Sequence, residues 1–162
     1  MAFWSEVTAL FGGTFDPPHL GHALVADTLI ARGVVDVVWF VPVHTHPWAD
    51  RYSKKKLTKY ADRVHMLQLI THDKSQIIAH FRQVSFTYDT LEYFSAKHPE
   101  HQFSWVMGSE YLSRFDDFLK GHPLLSKYHF YIYPRSGYSL DESLKKTNMT
   151  FLHEFPQVVI SS

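Results

Sequence analysis

Two histidines three residues apart, His19 and His22, are the side chains of this sequence best placed to act on a phosphate group. They follow a glycine pair, Gly12-Gly13, and glycine lets a backbone approach an anion closely. Residues three apart share one face of a helix. A helix beginning near His19 would therefore point both rings at one bound polyphosphate, and its N-terminus would add free N–H groups and a positive dipole end.

The elements around this glycine turn form a recognisable unit. Val7–Phe11 is a short apolar run and predicts a buried strand that ends at the glycines. His19–Ala31 has apolar residues at helical spacing and is followed by Gly33, which favours a helix end. Val34–Val43 predicts a second strand. Strand, glycine loop, helix and strand make a βαβ unit, whose two strands are parallel and whose crossover is right-handed.

The rest of the chain continues this alternation and predicts one fold class. The pattern indicates a Rossmann-like, doubly wound α/β fold, with a mainly parallel sheet, helices on both faces and Val7–Phe11 as a central strand. The further predicted helices are Tyr60–Ile70, Thr87–Lys97 and Ser109–Leu119, and the further predicted strands are Ile77–Phe81, Phe103–Met107, His129–Tyr133 and Met149–His153. The polar stretch Ser136–Thr147 is typical of a surface loop or short helix.

Length and composition exclude several classes of protein. A chain of 162 residues has the size of one domain, and 16 basic residues balance 16 acidic ones. This balance argues against nucleic-acid or anionic-membrane partners. The absence of cysteine excludes a disulfide scaffold. No transmembrane run or signal peptide is expected, so a cytoplasmic location is predicted, and the oligomeric state stays open, a homo-oligomer included.

The glycine loop matches neither the Rossmann Gly-x-Gly-x-x-Gly pattern nor the P-loop. Instead, the segment Phe11–His22, FGGTFDPPHLGH, resembles the signature of the His-x-Gly-His nucleotidyltransferase superfamily. Within it, the chain is similar to the nicotinate (or nicotinamide) mononucleotide adenylyltransferases. The resemblance implies that His19 and His22 bind the ATP phosphates and stabilise charge in the transition state. It also implies that Gly12, Gly13, Thr14 and Phe15 line the nucleotide site.

A lysine-rich segment supports the same resemblance. Tyr52–Leu57, followed by Arg63-Val64, is similar to a Tyr-x-Lys-Lys-x-Leu…Arg-Val stretch of that family. The match implies that Lys54, with Lys55 beside it, contacts the ATP phosphates, and Lys54 joins the histidines as a catalytic residue. A flexible lysine loop over a phosphate site suits a lid. The alternative is that these lysines are simply solvated.

The acceptor site is implied by a third segment. Ser85–Leu91 resembles a Ser-Tyr-Thr-x-x-Thr segment that holds the pyridine ring and its carboxylate in the family. Thr87 and Thr90 would lie on one face near a helix N-terminus, which favours an anion. Phe118 stands where the family commonly has a stacking Trp, and any aromatic face can stack. The alternatives are an N-cap for Thr87 and a core aromatic for Phe118.

Three other matches depart from the family pattern. Gly108-Ser109-Glu110 corresponds to Gly-Ala-Asp, with a carboxylate one methylene longer, and Arg135 stands in a Pro-Arg rather than an Arg-Pro order. The resemblance assigns Gly108, Glu110 and Arg135 to the ATP site. Ser161 and Ser162 match the start of an Ile-Ser-Ser-Thr-x-x-Arg motif that holds phosphates. The sequence ends there, so it predicts a single domain over 1–162 that lacks the family's usual C-terminal helices.

These residues predict adenylyl transfer from ATP to nicotinate mononucleotide, with Mg²⁺ carried mostly by the phosphates. Asp16 is a candidate for a water of the magnesium shell or for a helix cap. Pantetheine-phosphate adenylyltransferase and a nucleotide-binding module without turnover remain alternatives. His44 and His46 lie in a loop that the family places beside the substrate, and no third ligand for a metal is identifiable near them.

Overall fold

A computed structural model describes residues 5–45, 56–71, 75–115 and 126–156. Its six strands form one sheet in the order β3-β2-β1-β4-β5-β6, and every neighbouring pair is parallel. The strands are β1 (Glu6–Gly13), β2 (Val37–Pro42), β3 (Gln76–Ile78), β4 (His101–Gly108), β5 (His129–Tyr133) and β6 (Met149–Phe151). The helices are α1 (Leu20–Ala31), α2 (Tyr60–Ile70) and α3 (Thr87–Lys97), with 3-10 helices at Ser109–Arg114 and Glu142–Leu144.

The strand order confirms the predicted Rossmann-like fold. The direction of strand addition reverses between β1 and β4, and in doubly wound sheets ligands bind at this point, outside the carboxyl ends of the strands. Gly12 and Gly13 end β1 at this position, beside Gly108 at the end of β4. The predicted central strand therefore places the glycine turn in the crevice where a nucleotide is expected.

Two apolar layers cover the sheet, one on each face. Successive side chains of a strand point to opposite faces. Leu10 accordingly joins the cluster that contains α3 and the first 3-10 helix, while Ala9 and Phe11 join the cluster that contains α1 and α2. The predicted arrangement of helices on both faces is confirmed. No helix in the described ranges has the length and apolarity needed to cross a bilayer.

Several elements are shorter than the sequence pattern predicts. Residues 34 and 35 are not in β2, because the N–H groups of Val34 and Val35 are bound to the carbonyl of Leu29 in the turn that ends α1. The strand predicted to reach Phe81 ends at Ile78, although Phe81 is buried in the core. In both cases apolar residues continue along the chain beyond the hydrogen-bonded part of the strand. A prediction based on apolar residues therefore places the strand ends wrongly.

Two further elements also differ from prediction. The helix expected from Ser109 is a 3-10 helix as far as Arg114, and residues 116–125 lie outside the described part of the chain. The last strand ends at Phe151 rather than His153, where the chain turns.

Candidate active site

Helix α1 begins one residue later than predicted, because His19 is its N-cap and not its first helical residue. The backbone N–H of Gly21 donates to His19 Nδ1 at 3.1 Å, and the backbone N–H of His19 donates to His22 Nδ1 at 3.1 Å. This is a capping box in which both partners are histidines. The first-turn N–H groups that were expected to be free for phosphate are thus partly occupied by the two rings.

The capping bonds also determine which ring nitrogen carries the proton. A nitrogen that accepts from a backbone N–H has no proton of its own, so a neutral imidazole must be protonated on the other nitrogen. In His19 and His22 both Nδ1 atoms accept, which leaves Nε2–H as the donor. The two rings are stacked, with centroids 3.8 Å apart and planes 20° from parallel. The predicted shared face of the two histidines is therefore present, and it presents paired N–H donors.

Both histidines are neutral at pH 7 in this environment. The pKa of His22 is lowered to about 3, first by burial and then by the nearby His19 and Arg135. The pKa of His19 is also lowered, first by burial and then by Arg135. His19 Nε2 is buried and has no hydrogen-bond partner among the described residues. An acceptor from a ligand would complete it, and a phosphate oxygen is such an acceptor.

Phe15 has a different position from the one the resemblance implies. Its side chain is only 1% exposed and does not line the adjoining cleft. Its ring instead packs edge-on against His22, with centroids 4.8 Å apart. The backbone of Phe15 is left-handed, with φ of 48°, a conformation that is costly for a bulky residue. Burial of the aromatic ring offsets this cost, so Phe15 fixes the loop path and supports His22 from behind.

An open cleft of about 780 Å³, a volume that includes open solvent at its mouth, lies at the carboxyl ends of β1 and β4. Six of the residues assigned to the site from the sequence line it: Gly12, Gly13, Thr14, Thr87, Thr90 and Gly108. His19 and His22 adjoin it through Phe11, a lining residue whose ring centroid is 5.8 Å from that of His22. Trp105 and Tyr111 add aromatic lining that sequence reasoning missed.

Gly12 is required by the close approach of Trp105. A Cβ built on Gly12 would lie 2.6 Å from two carbons of the Trp105 ring, closer than any real contact. The indole therefore reaches across the end of β1 and forms part of the cleft wall. The glycine that the sequence assigned to phosphate binding thus also has a packing role, which depends on a residue far along the chain.

The start of helix α3 and the residues just before it supply unsatisfied hydroxyl groups to the same cleft. Ser85 Oγ and Thr87 Oγ1 are buried and have no hydrogen-bond partner in the described part of the chain. Thr87 is not the N-cap, since Phe86 occupies that position and makes no side-chain cap. Thr90 Oγ1 donates to the carbonyl of Phe86 at 2.8 Å, so this hydroxyl keeps its lone pairs for another donor. These groups suit a polar ligand, because buried polar atoms normally have partners.

Glu110 and Arg135, both assigned to the ATP site, lie together beside the cleft. Arg135 Nη1 is 3.8 Å from Glu110 Oε1. Burial raises the pKa of Glu110, and Arg135 acts in the opposite direction. The Glu110 carboxylate also fills the space where Gly108 would carry a Cβ. The longer acidic side chain is accommodated by packing back onto the strand.

Arg63 is the clearest residue whose role sequence reasoning missed. Its side chain is 2% exposed, and its guanidinium donates to three backbone carbonyls. Nη1 donates to Thr14 at 2.9 Å and to Val43 at 2.7 Å, while Nε donates to Thr58 at 2.8 Å. Arg63 therefore ties the glycine loop to the end of β2 and to the segment before α2. Its occurrence in the family-like Arg-Val pair was the only available signal.

Asp16 is not a helix cap. Its Oδ2 accepts from the backbone N–H of Thr58 at 2.8 Å, and its charge raises the pKa of Arg63 against the lowering effect of burial. The interpretation of Asp16 as a cap for α1 is therefore wrong, and His19 takes that position. Asp16 and Arg63 together hold the residues just after the lysine-rich segment against the glycine loop.

Several assigned residues lie outside the described part of the chain. They are His46, Lys54, Lys55, Phe118, Ser161 and Ser162. His44 is described and exposed, and its ring centroid is 5.0 Å from that of Tyr60. It belongs to no group of three metal-ligating side chains within the described ranges.

The fold and the site together define a class of protein. A parallel sheet has its phosphate-type glycine turn at the switch point, with two stacked imidazole donors at the first helix. This arrangement presents positive dipoles and N–H groups to a nucleotide polyphosphate. It is the arrangement expected of a nucleotidyltransferase.

Comparison with known proteins identifies the family. A family model described as cytidylyltransferase-like matches residues 10–162. A probable nicotinate-nucleotide adenylyltransferase of Porphyromonas gingivalis is 30% identical over 161 residues, which cover 96% of this chain and 80% of the relative. Another from Rhizobium leguminosarum is 32% identical over 148 residues, which cover 90% and 76% respectively. The chain therefore belongs to the cytidylyltransferase-like family of nucleotidyltransferases, and the resemblance to nicotinate mononucleotide adenylyltransferases is confirmed.

Solved structures agree on the fold. The nicotinic acid mononucleotide adenylyltransferase of Plasmodium falciparum, complexed with NaAD, aligns with a TM-score of 0.77 at 21% identity. The alignment covers 97% of this chain and 77% of that one. The same enzyme complexed with APC gives a TM-score of 0.76.

Proposed function

We propose that this protein transfers AMP from ATP to nicotinate mononucleotide, giving deamido-NAD and pyrophosphate. The observation that carries the proposal is the pair of stacked histidines, His19 and His22, at the edge of a cleft lined by unsatisfied hydroxyls. The stacked histidines suit a polyphosphate, and the hydroxyl-lined cleft suits the acceptor. The relatives from Porphyromonas gingivalis and Rhizobium leguminosarum are both named probable nicotinate-nucleotide adenylyltransferases, which supports this reaction.

The reaction needs little covalent chemistry from the protein. An oxygen of the 5′-phosphate of the mononucleotide forms a bond to the α-phosphorus of ATP. The bond between that phosphorus and the bridging oxygen to the β-phosphate breaks, and pyrophosphate leaves with the electron pair. The nucleophile is already an anion, so no general base is required. Catalysis then consists of positioning and of stabilising charge on the phosphoryl oxygens.

His19 and His22 supply that stabilisation as neutral donors. Their Nε2–H groups are fixed in direction by the capping bonds on Nδ1, and they need no reorganisation as charge develops. Within the described ranges, no cluster of three His, Asp or Glu side chains lies at this end of the sheet. We expect Mg²⁺ to enter on the phosphates of ATP, as the hard cation usually does in nucleotide sites. Lys54, which the resemblance assigns to the phosphates, stays a prediction.

The cleft suits a pyridine carboxylate. Ser85 and Thr87 offer hydroxyl donors that lack partners, and α3 directs its positive N-terminus toward the same region. Trp105 and Tyr111 offer aromatic surface for the ring, a role expected of Phe118 from the resemblance. Asp89, whose charge would repel a carboxylate, is not among the lining residues. We therefore assign the acid form of the mononucleotide as the acceptor.

The test is turnover with three acceptors at saturating MgATP. Purified protein is assayed for pyrophosphate release with nicotinate mononucleotide, nicotinamide mononucleotide and 4′-phosphopantetheine, and each product is identified by mass. We expect the highest kcat/KM with the nicotinate form. Turnover with 4′-phosphopantetheine alone would move the chain to another branch of the superfamily. ATP binding by calorimetry without turnover on any acceptor would instead indicate a binding module.

A further inference from the structure

At the opposite end of the sheet from the cleft, three side chains with metal-binding donors meet in a short turn. His98, Glu100 and His101 lie between the end of α3 and the start of β4, and their ligand atoms all lie within 4.8 Å of one another. We propose that this His-x-Glu-His cluster is a binding site for Zn²⁺ or a similar transition-metal ion. The site is separate from the proposed reaction, because β4 runs seven residue steps of about 3.3 Å each from His101 to Gly108 in the glycine-lined part of the cleft.

The spacing of the donor atoms fits a tetrahedral ion. His98 Nδ1 is 3.5 Å from Glu100 Oε1, and His101 Nε2 is 3.6 Å from the same oxygen. Zinc bonds of about 2.0–2.1 Å to nitrogen and oxygen require ligand atoms about 3.3 Å apart. Two of the three ligand-atom pairs are therefore close to this distance, and the third, between the two histidines, is no longer than 4.8 Å. Small rotations of the exposed Glu100 and of the partly exposed His98 can supply the remaining adjustment, and water can fill the fourth position.

The ring of His101 is oriented as in known zinc sites. Its Nδ1 is 2.8 Å from Thr8 Oγ1 and 3.6 Å from Glu6 Oε2, both on β1. These contacts turn Nε2 toward Glu100. Metal-bound histidines typically use the second ring nitrogen in this way, with a carboxylate or another acceptor holding the ring and raising its basicity. The pattern arises from a strand far from the cluster in sequence, so it is independent of the turn itself.

Two further features favour a cation here. His98 is the C-cap of α3, and the C-terminal end of a helix dipole stabilises positive charge. Trp39 packs against both rings, with centroid distances of 5.0 Å to His98 and 5.0 Å to His101. This packing holds the two imidazoles in place before an ion arrives. Two imidazoles and one carboxylate select Zn²⁺, Co²⁺ or Ni²⁺ over Mg²⁺, so the ion that accompanies ATP would not compete.

The test uses Co²⁺ and Zn²⁺ alone as probes of the metal-free protein. Co²⁺ titration should give one equivalent of bound ion, with visible d–d absorption that Zn²⁺ abolishes. Bound Co²⁺ should quench the fluorescence of Trp39, and Trp39→Phe should remove that part of the quenching. At a Zn²⁺ concentration about 100-fold above its Kd, Tm should rise by about 5–10 °C.

Variants locate the ion. His98→Ala and Glu100→Ala change side chains that are 31% and 64% exposed, so the fold should survive, as circular dichroism will check. Each should weaken Co²⁺ binding by about tenfold or more. The matched control is His153→Ala, which removes the histidine of an exposed pair with Glu142 at 3.1 Å and should leave binding unchanged. No saturable Co²⁺ binding in the unaltered protein, or binding by both cluster variants as tight as that of the unaltered protein, would overturn the proposal.

Discussion

Replacing His22 with Asn should separate the helix-capping role that the structure shows for this residue from the phosphate-donor role that we propose for it. The Asn Oδ1 lies two bonds from Cβ, as Nδ1 does in the ring, so it can still accept from the backbone N–H of His19. It has no group in the place of Nε2. His22→Ala removes both functions. The pair of variants therefore isolates the hydrogen bond that caps the helix from the donor that faces the phosphates.

The two variants should lose the same catalytic rate but differ in stability. Loss of one preorganised donor to a transition-state oxyanion costs about 10²–10³ in kcat, so both variants should be slower by that factor. Both variants also lose the imidazole ring of His22, a residue that is 8% exposed and whose ring centroid lies 4.8 Å from that of Phe15. Only the Asn variant keeps the capping bond, which contributes ~1 kcal/mol. His22→Asn should accordingly be the more stable of the two by that amount, at the same low rate.

The assay combines steady-state turnover at saturating MgATP and nicotinate mononucleotide with urea unfolding of each variant. His22→Gln serves as a third arm, because its amide N–H reaches the place of Nε2 and should recover part of the rate. A kcat for His22→Asn within a few-fold of the unaltered protein would remove His22 from catalysis. Equal stabilities of the Asn and Ala variants would refute the capping role.

Three other predictions rest on particular contacts. The unfolded chain takes up a proton at His22 below pH ~6.5, whereas the folded pKa is about 3. The free energy of unfolding should therefore fall as pH drops from 6.5 to 5, by up to ~1.4 kcal/mol per pH unit. When it is measured by urea unfolding at each pH, the free energy of His22→Asn should depend less steeply on pH than that of the unaltered protein. Gly12→Ala should lower the free energy of unfolding by about 1–3 kcal/mol, because its Cβ meets Trp105. Gly13→Ala, whose nearest Cβ contact is an ordinary 3.4 Å, should lower it less when both are measured by urea unfolding. Arg63→Lys keeps the charge but cannot donate to all three backbone carbonyls at once, so Tm should fall and kcat should drop by about tenfold or more. Arg63→Met should have a Tm and a kcat no higher than those of Arg63→Lys.

The fold could be predicted from the sequence because its signals are local. The apolar run before Gly12, the glycine turn and the helical spacing after it are all contiguous, and parallel pairing of the flanking strands follows from chain geometry. The strand ends could not be placed as well. Val34 and Val35 are β-branched and partly or fully buried, yet their N–H groups close the end of α1. Residue type reports burial, whereas the hydrogen-bond ladder sets the limits of a strand.

The candidate site was predictable only where its residues lie in one segment. The glycines, Thr14 and the two histidines follow from the loop, and Thr87 and Thr90 from a second segment. Trp105 approaches Gly12 across two neighbouring strands, and no pattern within either segment indicates that contact. The left-handed backbone at Phe15 was equally hidden, since glycine or asparagine is the usual signal for it.

The capping box connects the stability of the site with its chemistry. The same bonds that satisfy the N-terminus of α1 keep both Nδ1 atoms unprotonated, which leaves Nε2–H of His19 and His22 as the donors that the proposed mechanism sets against the phosphates. Burial keeps the rings neutral by lowering their pKa values. A neutral donor binds the ground-state phosphates less strongly than a cation would, and its hydrogen bond strengthens as charge accumulates on the phosphoryl oxygens. Such a difference between ground state and transition state is what accelerates a reaction. Packing against Phe15 adds to the burial that keeps His22 neutral, so in the proposed mechanism a structural contact also serves the chemistry.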